Sequence, residues 1–146
     1  MHYSYGVNGG FASKGHREGD PYPWFMIILP KPVHISTFFF LDRTDCCIDR
    51  AIDDVFRVGM HVVKNATELV NNPACHEVVE YWAKVGSSGY YDCNLFGNVI
   101  TVERPPFANP TSTPPMQIME IKAWSQFHLN FKADPANVMS SAGPKN

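Results

Sequence analysis

Trp24-Phe-Met-Ile-Ile-Leu-Pro-Lys-Pro-Val-His-Ile-Ser-Thr-Phe-Phe-Phe-Leu41 is the stretch that decides how this chain folds. Its first part, Trp24–Leu29, is a short apolar run followed by proline, the mark of a buried strand. No longer uninterrupted apolar run occurs in the chain, and this one is too short to cross a bilayer. Pro30-Lys31-Pro32 predicts a turn. Val33–Leu41 then carries β-branched and aromatic residues on both faces. Val33, Ile35, Thr37, Phe39 and Leu41 alternate on one face, Phe38 and Phe40 on the other. A strand covered on both sides reads this way.

Working outward, the same logic marks further strands at Val55–Val58, closed by Gly59, at Val78–Val85, and at Asn98–Glu103 before Pro105-Pro106. Gln117–Trp124 alternates apolar and polar residues, which suits a closing strand with one wet face. Met60–Glu68 has some helical character, weakened by Gly59 and by β-branched residues. Asn71-Asn72-Pro73-Ala74 is a turn, and Phe107–Pro115 a proline-rich connection. Met1–Asp20 is glycine-rich loop, and small residues and prolines from Ser125 onward indicate a poorly packed tail. The predicted organisation is a domain over 1–124 and a tail over 125–146. Many short strands between turn signals predict an all-β, antiparallel β-sandwich.

Composition agrees. In 146 residues, 45% are apolar and 18% charged, with 12 prolines and 10 glycines. This is globular and loop-rich rather than a helical bundle. The formal net charge of −2 points to no nucleic-acid surface and no polybasic membrane patch. Met1–Gly10 is polar and small, without the pattern of a signal peptide. The expectation is a secreted chain whose signal has been removed, or a fragment of a longer one. Cys46, Cys47, Cys75 and Cys93 permit two bridges in three pairings. Zinc is the intracellular alternative, but no Cys-x-x-Cys pair is present and adjacent cysteines do not readily reach one tetrahedral ion. Asn65-Ala66-Thr67 is a glycosylation sequon and a weak hint of secretion.

Chemistry concentrates in Arg43-Thr44-Asp45-Cys46-Cys47-Ile48-Asp49-Arg50. Two guanidinium groups, two aspartates and two adjacent cysteines share one short segment. Bonded to each other, such cysteines close a strained ring, because neighbouring Cα atoms lie only about 3.8 Å apart, below the usual separation of bridged residues. Strain of this kind persists at functional sites.

At this segment the chain resembles the F-type, fucose-binding lectins, the family of the fucolectins and tachylectin-like proteins. The family motif is a histidine, a fixed spacer, then Arg-x-Asp-Cys and a further basic residue. Here residues 17–42 separate His16 from Arg43, with the family's spacing, and Arg43-x-Asp45-Cys46-Cys47-x-x-Arg50 follows. Asp20-Pro21-Tyr22-Pro23-Trp24 resembles the family's entry to a core strand, and Met119–Trp124 its closing strand. The resemblance spans roughly Gly9 to Trp124. It implies a jelly-roll sandwich of the discoidin, galactose-binding-like kind, with long loops at one end. It implies that His16, Arg43 and Arg50 donate hydrogen bonds to α-L-fucose, that a Cys46–Cys47 disulfide packs against the sugar ring, and that Cys75–Cys93 forms a second disulfide.

The chain also departs from the family. A third family bridge would fall at Lys14 and Met119, so both of its cysteines are lost together. The family's structural calcium would use Ser13 and Glu120, but the Asp/Asn loop that completes the site is missing, since Met1–Gly10 offers only Asn8. A hard divalent cation wants about six or more oxygens, several of them anionic. The family's first strand is also absent from the sequence.

The residue types suit a neutral deoxy sugar. Its hydroxyls lose water on binding and need fixed donors in return. Arginine offers a rigid, permanently charged fork of donors, and histidine a donor or an acceptor. Asp45 is placed to orient an arginine. Phe11 is the candidate apolar wall for the fucose methyl group. Single-site affinity on the order of micromolar to millimolar is expected, raised by homo-oligomers or tandem domains. The expected partners are fucosylated glycans or glycoproteins in extracellular cell recognition or innate immunity. The alternative is a divergent adhesion or protein–protein recognition module on the same fold, with weak or no sugar binding.

The plainer readings are these. Arg43 and Arg50 would serve as surface ion-pair partners of Asp42, Asp45, Asp49, Asp53 and Asp54. Trp24, Phe38, Phe40 and Trp124 would be core rather than ligand platforms. His34, His61, His76 and His128 have no companion pattern. No enzyme signature is present: G-x-S-x-G, H-E-x-x-H and the P-loop are all missing.

Overall fold

The computed structural model describes residues 11–12, 19–20, 22–41, 54–77, 88–104, 116–125 and 138–140. Its elements in order are β1 (Phe11–Ala12), β2 (Trp24–Leu41), β3 (Val55–Gly59), a 3₁₀ helix (Ala66–Asn71), β4 (Ala74–Glu77), β5 (Ser88–Glu103), β6 (Gln117–Ile118), β7 (Glu120–Ser125) and β8 (Val138–Ser140). Every pairing is antiparallel. The large sheet runs β4-β3-β5-β2-β7, with β8 also on β2, while β1 and β6 pair separately. The strand expected over 78–85 and the connection over 107–115 lie outside the described residues.

The long β2–β5 ribbon is the backbone of the fold, and its irregularities shape it. Pro30-Lys31-Pro32 does not end the strand as expected. Ile28 pairs with Val99 and Val33 with Gly97, so the prolines occupy a bulge within β2. All three side chains are exposed, where a missing N–H costs the ladder nothing. A second irregularity lies between Ile35 and Thr37. There Asn94 of β5 adopts the left-handed region at φ 59°, which asparagine tolerates better than most residues. Opposite it, Ser36 Oγ donates to Trp124 O at 3.0 Å.

These breaks change which face looks inward. Val33 and Ile35 are buried, and so are Phe38 and Phe40, whereas Thr37, Phe39 and Leu41 are half-buried. The two faces read from strict alternation are thus exchanged at Ser36. Phe38 and Phe40 come to pack on Phe56 of β3, with ring centroids 5.1 and 6.0 Å away. Phe38 pairs with Tyr91 and Phe56 with Val102, positions that a straight strand would hold roughly 36 Å apart at about 3.3 Å per residue. The ribbon therefore folds over itself, and the result is the antiparallel β-sandwich.

The main core lies between the layers. Phe25, Ile27, Phe56, Val58, Ile100 and Val102 face Ile35, Phe38, Phe40, Cys93, Ile118 and Ile121. A smaller cluster covers the opposite face of the first layer. There Val63, in the loop before the 3₁₀ helix, and Leu69, within it, seal Trp24, Met26 and Val99, and Val63 N–H donates to Met26 Sδ at 3.4 Å. Within the segment read as a tail, Val138–Ser140 pairs with Phe25–Ile27. Trp24, Phe38 and Phe40 are buried as expected. Trp124 instead is half-buried, on the outer face beside Tyr90 and Phe39.

Candidate functional site

His16, Arg43, Asp45, Cys46, Cys47 and Arg50 lie outside the described residues, as does Ser13. Phe11 is described as backbone in β1. What the structure supplies is the frame that holds both segments carrying the motif, 13–21 and 42–53.

One anchor is at the end of β2. Phe11 pairs with Ile118 and Ala12 with Gln117. The chain then passes directly from β6 to β7, and Met119 N–H donates to Leu41 O at 2.9 Å. Leu41 also pairs with Glu120. The residues just before segment 13–21 are thereby joined, through β6, to the residue just before segment 42–53.

The other anchor is at the start of β2 and β3. Arg104 grips Asp54 with Nε at 2.7 Å from Oδ1 and Nη2 at 3.0 Å from Oδ2. Both side chains are fully sealed from solvent. The Arg104 backbone N–H donates to Pro23 O at 2.9 Å. A residue just after segment 13–21 is thus tied to the residue just after segment 42–53. The described residues that flank the two segments are thus joined to each other at both ends.

A second charged cluster reinforces this anchor. Glu103, 1% exposed, accepts from Arg57 Nε at 2.5 Å and from Tyr22 OH at 3.0 Å. Arg57 Nη1 donates onward to Asn72 O at 3.0 Å. Burial, and then the negative charge of Glu103, pushes the Tyr22 phenol up to about 12. A buried carboxylate needs this many partners, since taking charge out of water costs several kcal/mol per ion unless it is paired and hydrogen-bonded. Asp54, a surface residue in the plainer reading, is buried and engages Arg104.

Nothing in the sequence assigns Arg57, Glu103 and Arg104 to the site, and Tyr22 enters only as part of the Asp20–Trp24 motif. Their signal was present: an adjacent Glu-Arg pair ending an apolar strand places two charges where the neighbours are buried. Their partners, however, lie far away in sequence.

Cys75 and Cys93 share the main core cluster. The expected bond between them is not formed in this structure; Cys75 Sγ donates to Phe56 O at 3.3 Å. Glu120, expected to face calcium, lies 2.9 Å from Lys122 Nζ. Among the described residues no three His, Cys, Asp or Glu side chains are arranged to hold a metal ion. No helix among the described residues is long and apolar enough to cross a membrane.

No family model matches the chain. A curated protein called fucolectin, from Anguilla anguilla, is 32% identical over 60 residues, which cover 41% of this chain and 36% of that protein. The crystal structure of an F-lectin (fucolectin) from striped bass serum, Morone saxatilis, superposes with a TM-score of 0.59 at 20% identity, over 71% of this chain and 33% of that one. The chain therefore spans about a third of the length of each. The resemblance to the F-type lectins drawn from the motif is borne out, and the fold is theirs.

Proposed function

We propose, with the F-type lectin fold as premise, that this chain is an extracellular lectin domain that binds terminal α-L-fucose on glycans and glycoproteins. His16, Arg43 and Arg50 are the donors to the sugar hydroxyls and ring oxygen. Asp45 orients an arginine, the Cys46–Cys47 disulfide packs on the ring, and Phe11 walls the methyl group. The observation that supports this best is the pair of shared anchors, Met119 N–H to Leu41 O at one end and Arg104 to Asp54 and Pro23 at the other. In this reading the two segments, whose flanking residues are joined at both ends, lie alongside each other. A histidine on one and two arginines on the other then form one group of donors.

The physical logic is preorganisation. A small neutral ligand offers little apolar area, so donors fixed before binding raise affinity by lowering the ordering cost. Buried ion pairs at the base of a loop provide that fixity. The reading involves no bond-breaking step, and none of it runs through calcium. The Cys46–Cys47 disulfide belongs to this proposal; peptide mapping of the secreted protein without reductant tests it.

The deciding experiment is calorimetric titration of the oxidised protein with methyl α-L-fucoside, against the methyl glycosides of glucose and mannose. Fucoside binding that is lost in Arg43→Ala and Arg50→Ala, with unchanged circular dichroism, supports the site. No fucoside binding by the intact protein rejects it.

A further inference from the structure

We propose that Asn65 carries an N-linked oligosaccharide that covers the apolar surface beside it. This rests on the extracellular location proposed above and is independent of the fucose site.

Asn65 is exposed and opens the 3₁₀ helix. Its Oδ1 accepts from Thr67 N at 3.1 Å and from Thr67 Oγ1 at 2.6 Å. Both capping bonds therefore use the oxygen. The nitrogen has only a long contact, 3.4 Å, to Glu68 Oε1. Glycosylation converts Nδ2 into a secondary amide that keeps Oδ1 and one N–H, so the cap survives the modification. The acceptor triplet needs an exposed Asn and a hydroxyl two residues on, and both are in place in the folded chain.

The cap alone would account for Asn65 and Thr67. It does not account for the surface around them. Met60 is 58% exposed, Val62 45% and Val70 68%, and all three fall within a few residues of the triplet. Side chains three apart on a 3₁₀ helix eclipse, so Thr67 and Val70 form one ridge. His61 Nε2 lies 3.1 Å from Glu68 Oε2 and 3.4 Å from Asn71 Nδ2, which holds the Met60–Val62 loop against the helix. A glycan leaving Asn65 beside that ridge gives an exposed apolar patch a hydrophilic cover.

The step is a glycosyl transfer. Nδ2 bonds to the anomeric carbon of a lipid-pyrophosphate-linked oligosaccharide. The carbon–oxygen bond to phosphate breaks with its electron pair, and one Nδ2 proton passes to a base.

The test is translation of the chain behind a cleavable signal peptide with endoplasmic-reticulum microsomes, followed by protease protection and tryptic mass spectrometry. The protected chain should carry one oligosaccharide on the Asn65 peptide, removable by peptide N-glycosidase with conversion to aspartate. Thr67→Ser should keep it and Thr67→Ala lose it. Ala66→Pro is the decisive variant. Proline in the middle position blocks the transfer yet suits the first helical position, and Asn65 is already extended at φ −154°, ψ 168°, as a residue before proline must be. Loss of the glycan in Ala66→Pro, with both capping residues intact, supports the proposal. A protease-protected wild-type chain with unmodified Asn65 overturns it, whatever the outcome of fucose titration.

Discussion

Arg104 and Asp54 form a two-pronged ion pair, 2.7 and 3.0 Å, with neither side chain reaching solvent. The pair closes the chain on which Arg50 lies four residues earlier. Removing one member leaves the other charge buried without its fork, at a cost of about 3–5 kcal/mol, whereas replacing both with apolar residues of similar volume costs far less. Arg104→Met should therefore destabilise strongly, and Asp54→Leu with Arg104→Met should recover much of the loss. Urea unfolding of both single variants and the double variant measures the coupling; additive losses would show that the pair does not act as a unit.

Phe56 is where the two layers meet. It stacks on Phe38 at 5.1 Å and approaches Phe40 and Tyr91 at 6.0 Å. Phe56→Ala should cost about 3–5 kcal/mol, a loss of transfer energy plus a cavity that three rings cannot close. The unfolding midpoint in urea reports this. A loss well under 1 kcal/mol would mean that the layers do not pack through this ring.

The strands that could be read from sequence were those whose side chains carry the signal alone. Trp24–Leu29 is apolar without interruption, and Gln117–Ala123 alternates, broken at Met119 where the chain steps from β6 to β7. The first half of β5, Ser88–Gly97, escaped because Gly89, Asp92, Asn94 and Gly97 all speak against a strand locally; pairing to β2 overrides them. Phe38 and Phe40 read as core, but the exchange of faces at Ser36 is not legible, because nothing in Ser36 announces a bulge. In the candidate site, the motif was legible through its spacing. The Asp54–Arg104 clamp was not, since an ion pair across 50 residues leaves no periodicity to detect.

Gly97 lies tight against the backbone of Gly59. A Cβ on Gly97 would come within 2.2 Å of Gly59 O, and one on Gly59 within 2.1 Å of Asn72 Oδ1. Asn72 cannot swing away cheaply, because its side chain accepts from His61 N at 3.0 Å and donates to His61 O at 2.8 Å. Gly97→Ala meets backbone and should cost about 1–3 kcal/mol, the range of overpacking. Gly59→Ala should cost a similar amount and also loosen the 60–72 segment, seen as faster amide exchange at His61. Equal stability of wild type and Gly97→Ala would contradict this approach of the strands.

Tyr22 links the fold to alkaline pH. Its phenol ionises at about 12 in the folded chain against an ordinary 10.0, chiefly through burial and then through Glu103, with Arg57 pulling the other way. Below the ordinary value the phenol is neutral in both states and its hydrogen bond to Glu103 is fully present. As pH rises from about 10 toward 12 the unfolded chain ionises first, so the unfolded state gains and stability falls. Urea midpoints taken across that window should drop in wild type and drop less in Tyr22→Phe, which has no proton to lose. Tyr22→Phe also leaves one Glu103 oxygen without its phenol donor, so its midpoint near neutral pH should lie below that of wild type, and the two curves should approach each other as pH rises. Parallel curves would show that the Tyr22 phenol ionises alike in the folded and unfolded chain.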